Sequence, residues 1–198
     1  MNIGIYIYDQ AEVLDFAGPF EVFSTAKRLG AEHWNVYLIA EAPTVVARGG
    51  FTVKTDFTLN NSPTLDVLVV VGGVHTAELE KPTVLTWIAK TAAHTQLTAS
   101  VCTGVFLLAE AGVVTTQPVT THWEDITDLK TRYPTLQVLD EQRWVEEGKL
   151  ITSGGISSGI DMSLFLVSKL ASAELAKRTA RQMEYRWDSA YTTKNAIK

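Results

Sequence analysis

A chain of 198 residues fits one large domain, and with 46% of them hydrophobic it can bury a sizeable core without disulfides or metal. The single cysteine excludes an internal disulfide and fits a reducing compartment. A net charge of −5, no signal-type N-terminus and no apolar run near the ~20 residues of a membrane span point to a cytoplasmic protein without nucleic-acid or membrane partners. Ile3 to Tyr8 is β-branched and aromatic and reads as a first strand. Asp9 to Leu14 forms a loop, with Asp15 in the N-cap zone of a helix that runs to Leu29 and stops at Gly30. Pro19 is tolerated only in a first turn, which puts the start of that helix between Phe16 and Gly18. Asn35 to Ala40 is a second strand. Val45 to Arg48 and Phe51 to Lys54 suggest a hairpin turning at Gly49-Gly50.

The continuous apolar run Leu65 to Val71 suits a central parallel strand covered on both faces, ending at Gly72-Gly73. A helix over Pro82 to His94 leads into the strand Leu97 to Val101, which ends at Cys102. Thr103-Gly104 and a helix over Val105 to Ala111 follow, stopped by Gly112. Val119 to Thr121 is a short strand ending at His122, and Ile126 to Tyr133 a helix closed by Pro134. Three short strands (Gln137 to Leu139, Arg143 to Val145, Leu150 to Ser153) lead to the loop GGISSG, Gly154 to Gly159. Helices over Ile160 to Leu170 and Ala173 to Trp187 finish the chain, with a frayed tail expected from Ala190. Lys177, Arg178, Arg181 and Arg186, interspersed with Glu174 and Glu184, read as a solvated helix face. Strands alternating with helices imply a single α/β domain over 1–198. Its sheet is open and mostly parallel, flavodoxin-like, with helices on both faces and a small β-hairpin.

In such sheets, sites form in the crevice beyond the carboxyl ends of the strands. Four candidate groups fall there: Asp15, Gly72-Gly73, Cys102 and His122. A cysteine on a strand–turn–helix elbow sits beside unpaired helix N–H groups, which favour the thiolate and lower the thiol pKa. A buried, inert cysteine packed as a small hydrophobe is the alternative. Asp15 could deliver the proton that nucleophilic addition needs, its carboxyl pKa raised by desolvation, or it could simply cap a helix. Gly72-Gly73, with the amide of Thr103, could form an oxyanion hole, or be a plain turn. Thr103 could offer its hydroxyl to substrate. His122 could act as a base, or be structural. His33, His75 and His94 lack metal-ligand spacing, and nucleotide-binding glycine patterns are absent, so neither metal nor cofactor is expected.

In order along the chain stand VLDFAGPFEVF with Asp15, VVVGG, ASVCTGVFLLAEAG, TTHW with His122, and LITSGG. This set resembles the ThiJ/PfpI superfamily, whose fold is like that of class I glutamine amidotransferases. DFAGPFEVF, SVCTG, TTHW and SSGID are most similar to the isonitrile hydratase branch and to the sensor domains of AraC-type regulators. The resemblance implies Cys102 as nucleophile, Asp15 as neighbouring acid/base and Thr103 as a hydroxyl beside the thiol. The Gly73 and Thr103 amides would stabilise the intermediate, with Gly72, Gly73 and His122 contacting a small-molecule substrate. It further implies a homodimer with the site near the interface. The reaction would convert an isonitrile to an N-substituted formamide through a Cys102 thioimidate. Two alternatives stand beside it: glyoxalase or deglycase-type handling of reactive carbonyls, and a non-catalytic sensor using Cys102.

Three departures qualify the resemblance. Thr103 stands where the peptidase branch has histidine, which disfavours peptidase activity. His122-Trp123-Glu124 has the His-x-Glu pattern of the amidotransferases but follows the cysteine too closely. The glycine pair is preceded by Val71 and followed by Val74-His75, where many relatives have proline before it, so the pocket wall differs. The short segment after the last helix is expected to leave no room for a helix-turn-helix region.

Overall fold

Among the described residues, seven strands form one sheet, parallel except for one antiparallel pair at an edge. These are β1 (Asn2–Tyr6), β2 (Asn35–Ala40), β5 (Phe57–Thr58), β6 (Val67–Val70), β7 (Leu97–Val101), β10 (Trp144–Glu147) and β11 (Leu150–Ser153). They lie in the order β10-β11-β7-β6-β1-β2-β5, with β10–β11 the antiparallel pair. A hairpin of β3 (Thr44–Val46) and β4 (Thr52–Lys54), and a parallel pair β8 (Pro118–Val119) and β9 (Gln137–Val138), stand outside it. The helices are α1 (Val13–Leu29), α2 (Pro82–His94), α3 (Gly104–Glu110), α4 (Ile126–Arg132), α5 (Ser158–Leu170) and α6 (Ala173–Gln182). The computed structural model describes residues 1–188; the frayed tail expected from Ala190 lies outside them.

The chain leaves β1 through α1 toward one edge and leaves β6 through α2 toward the other. Right-handed crossovers in opposite directions must place their helices on opposite faces, as expected from the sequence. The strand order reverses between β1 and β6, which opens a crevice beyond their carboxyl ends. β6 and β7 are buried along their whole length, so the floor of that crevice is rigid.

Several boundaries differ from the sequence reading. Helix α1 begins at Val13, with Glu12 at the N-cap position but no side-chain capping bond, so Asp15 lies in its first turn and is not the cap, while Pro19 sits inside the helix. The missing proline N–H leaves the carbonyl four residues back without its helical donor. Burial of Pro19 in the core face keeps the helix running. The β3–β4 connection is a short 3-10 turn, Arg48–Gly50, and not a two-residue turn, since the ladder closes with the Ala47 N–H donating to the Phe51 carbonyl at 2.9 Å. Helix α6 ends at Gln182, short of Trp187. Glu184 adopts φ 50°, and the Tyr185 and Glu184 N–H groups fold back onto the Ala180 and Arg181 carbonyls, ending the helix with a left-handed cap.

Candidate active site

Four strand ends build the site. Cys102 follows β7 directly, at φ 56°, a left-handed conformation that costs a non-glycine residue energy and projects its side chain out of the strand-to-helix path. Its N–H donates to the Ser153 carbonyl at 3.1 Å, and its carbonyl accepts from the Thr121 hydroxyl at 2.9 Å, so neighbouring elements hold the turn. The sulfur lies in the wall of an open cleft of about 360 Å³, lined also by Gly73, His75, Thr103, His122, Asp125 and Ile156.

Asp15 lies beneath the cleft floor with no exposed surface. Its Oδ2 accepts from the Gly72 N–H at 3.1 Å. A Cβ on Gly72 would fall 2.7 Å from the Cys102 Cβ and 2.8 Å from Asp15 Oδ2, so the two side chains meet over a glycine that no other residue could replace. Burial raises the Asp15 carboxyl from 3.8 to about 7, against the lowering effect of the Gly72 N–H. The thiol departs from expectation. Burial first, and the Asp15 carboxylate second, push it well above the usual range, and the Thr103 N–H at the helix start only partly offsets them. The helix terminus is too weak a field to outweigh desolvation beside a like charge. The proton therefore rests with the sulfur, next to a carboxyl that titrates near neutrality.

The glycine amides are also placed differently from the reading. Gly72 N–H is spent on Asp15, and Gly73 N–H donates to Thr103 Oγ1 at 3.0 Å, while the Thr103 hydroxyl donates to the Gly73 carbonyl at 3.0 Å. Of the expected donors, the Thr103 amide is the one that faces the sulfur. Thr103 serves as a latch joining the β6 and β7 turns, and Gly72 stays below the cleft, outside its lining.

His122 lines the same cleft. Its Nδ1 accepts from the Glu124 N–H at 3.4 Å and lies 3.5 Å from Asp125 Oδ2. Its ring edge and the sulfur press on one point, since a Cβ on Gly155 would meet His122 Cδ2 at 2.4 Å and Cys102 Sγ at 3.0 Å. Gly155, in the GGISSG loop, was not among the expected site residues, and only its place in a glycine pair after a strand hinted at it. Asp125 lines the cleft with its carboxyl raised by burial. His75 lies against the Phe106 ring at 4.5 Å, and burial lowers its pKa. Arg48, from the β3–β4 turn, reaches the rim and pairs with Glu12 at 3.1 Å. Val74 and Ile156, both exposed, add apolar surface to the rim. Among the described residues no group of three or more His, Cys, Asp or Glu is arranged to hold a metal ion. No described helix is long and apolar enough to cross a membrane.

Comparison with known proteins gives the same picture of the fold. The model of the DJ-1/PfpI family matches residues 1–169. An isonitrile hydratase from Pseudomonas putida is 33% identical over 93% of this chain and 78% of its own length. The HTH-type transcriptional regulator CdhR of Pseudomonas aeruginosa is 31% identical over 86% of this chain, which spans only 51% of that protein. Among solved structures, a ThiJ/PfpI family protein from Pseudomonas syringae superposes with a TM-score of 0.85 at 25% identity, covering 94% of this chain and 76% of its own.

Proposed function

Since the chain belongs to the DJ-1/PfpI family, we propose that its cleft is the active site of a cysteine-dependent hydratase that converts isonitriles to N-substituted formamides. The observation that carries this reading is the contact between a thiol on a strained elbow and a buried carboxyl that titrates at about 7. The terminal carbon of R–N≡C accepts both the sulfur and a proton. A thiol with a neighbouring carboxylate can supply the two together: the S–C bond forms as Asp15 takes the S–H proton and passes it to the same carbon. No free thiolate is required, in keeping with a thiol held protonated. The product is a thioimidate, R–N=CH–S–Cys102. Water then adds to its carbon, the C–S bond breaks, one water proton returns to sulfur and the other goes to nitrogen, releasing R–NH–CHO. The Thr103 amide would steady the charge during this second addition. The exposed Val74 and Ile156 suit an uncharged, apolar R group.

Purified protein mixed with an alkyl isonitrile is expected to yield the formamide, followed by chromatography, and Cys102→Ala and Asp15→Asn should each reduce the rate by at least about a hundredfold. No formamide from the wild-type protein would overturn the reading. Similarity to HTH-type regulators favours a second one, a ligand-sensing domain built on the same cleft. A saturable shift in the thermal midpoint with isonitrile, without any turnover, would support it.

A further inference from the structure

The end of β1 presents two tyrosines on one face, as the two-residue period of an extended chain requires. Their rings stack at 6.0 Å. The Tyr6 hydroxyl donates to Glu78 Oε2 at 2.6 Å, and the other Glu78 oxygen pairs with Lys81 at 2.6 Å. The Tyr8 hydroxyl, one pleat further along, has no hydrogen-bond partner among the described residues although the residue is 3% exposed. It lies outside the cleft lining but within electrostatic reach of Asp15, Cys102 and Glu78, with the Thr103 hydroxyl facing it. That hydroxyl is already committed to both the N–H and the carbonyl of Gly73. Asp15 matches it: Oδ2 is held by Gly72, while the buried Oδ1 has no partner among the described residues.

A buried donor and a buried acceptor that both lack partners each forfeit their hydration, and pairing them recovers both losses. We propose that Tyr8 is a positioning residue of the Cys102–Asp15 pair, its phenol O–H donating to Asp15 Oδ1, directly or through one trapped water, when the carboxyl ionises. Burial and the nearby Asp15 charge keep the phenol protonated far above neutrality, so it remains a donor wherever the carboxyl titrates. The charged groups around the pair are Glu12 near Asp15, Asp125 near Cys102, and Glu78 near Tyr8, with Asp9, Glu41 and Lys81 lining the same small pocket as Tyr8; the Gly72 and Thr103 amides are the other donors. Tyr8 thus sets the pH at which Asp15 can accept the thiol proton.

The inference rests on the same Cys102–Asp15 pairing as the proposed function, but its readout involves no isonitrile, so either can fail without the other. The rate of Cys102 alkylation by iodoacetamide, measured from pH 5 to 9, should rise with a midpoint set by Asp15, and Asp15→Asn should abolish that midpoint. Tyr8→Phe keeps the ring and removes the donor, and is expected to move the midpoint up by about one pH unit, the effect of one hydrogen bond to a charged group. Replacing Tyr8 by 3-fluorotyrosine, a stronger donor of nearly the same size, should move it down, and this arm decides the matter alone if the phenylalanine variant does not fold. A merely structural role would scale the rate equally at every pH. Unmoved midpoints, or a midpoint that survives Asp15→Asn, would overturn the proposal.

Discussion

Cys102, Asp15, Gly72 and Gly155 show how little freedom the site has at the scale of single residues. The two glycines act through what they lack, since each leaves space where a methyl group would strike the thiol or its neighbour. Gly155→Ala would push the His122 ring and the sulfur apart, and misplacement of reacting groups by an ångström is costly. Alkylation of Cys102 is expected to slow by at least about tenfold, while the far-UV circular dichroism stays that of the wild type. An unchanged rate would mean that His122 moves freely and does not confine the sulfur. Asp15 illustrates the complementary point: its local position, in the first turn of α1, suggests a helix-stabilising charge, yet the side chain turns inward and is fully buried.

At the scale of elements, the site is assembled by turns that the sheet brings together, and the helices behind it act as supports. Helices α1, α5 and α6 pack against one another, with Gly18 of α1 taking Ile160 of α5 into contact. α6 is the most polar of these, and its start is secured by the Ser172 side chain, which accepts from the Leu175 N–H at 3.1 Å. Ser172→Ala should therefore lower stability by about 1 kcal/mol in urea unfolding. Because α6 is remote from the cleft, the alkylation rate of Cys102 should be unaffected. A loss of reactivity would show that the support is coupled to the elbow. The β3–β4 turn contributes differently, by carrying Arg48 to the rim, where its N–H bonds to the Ala11 carbonyl at 3.0 Å.

For the whole molecule, the raised Asp15 carboxyl makes folding pH-dependent. The unfolded carboxyl loses its proton near 3.8 and the folded one near 7, so between those values the native state holds more protons. Asp15 therefore subtracts stability as the pH rises through that window, by on the order of 4 kcal/mol at completion, and the loss levels off above it. Asp15→Asn removes this term. The variant should gain stability relative to the wild type from pH 5 to pH 8 in paired urea titrations. The difference isolates Asp15 from Asp125 and Asp161, whose carboxyls burial also raises. A constant difference across that range would mean that Asp15 is not the buried titrating group.

Much of this architecture was legible in the residues themselves. The apolar run before Gly72, the cysteine elbow and the alternation of strand and helix patterns identify a parallel sheet and the strand ends where chemistry gathers, because periodicity and turn chemistry are local properties of the chain. Tyr8 and Gly155 were hidden for the same reason: a tyrosine in a strand pattern reads as core, and a glycine in a loop reads as a turn. What those residues touch depends on segments far away in sequence. The state of the thiol is the clearest case. The turn alone argues for a lowered pKa, and the folded protein raises it, because desolvation and a carboxylate arriving from another element exist only once the chain has closed around them.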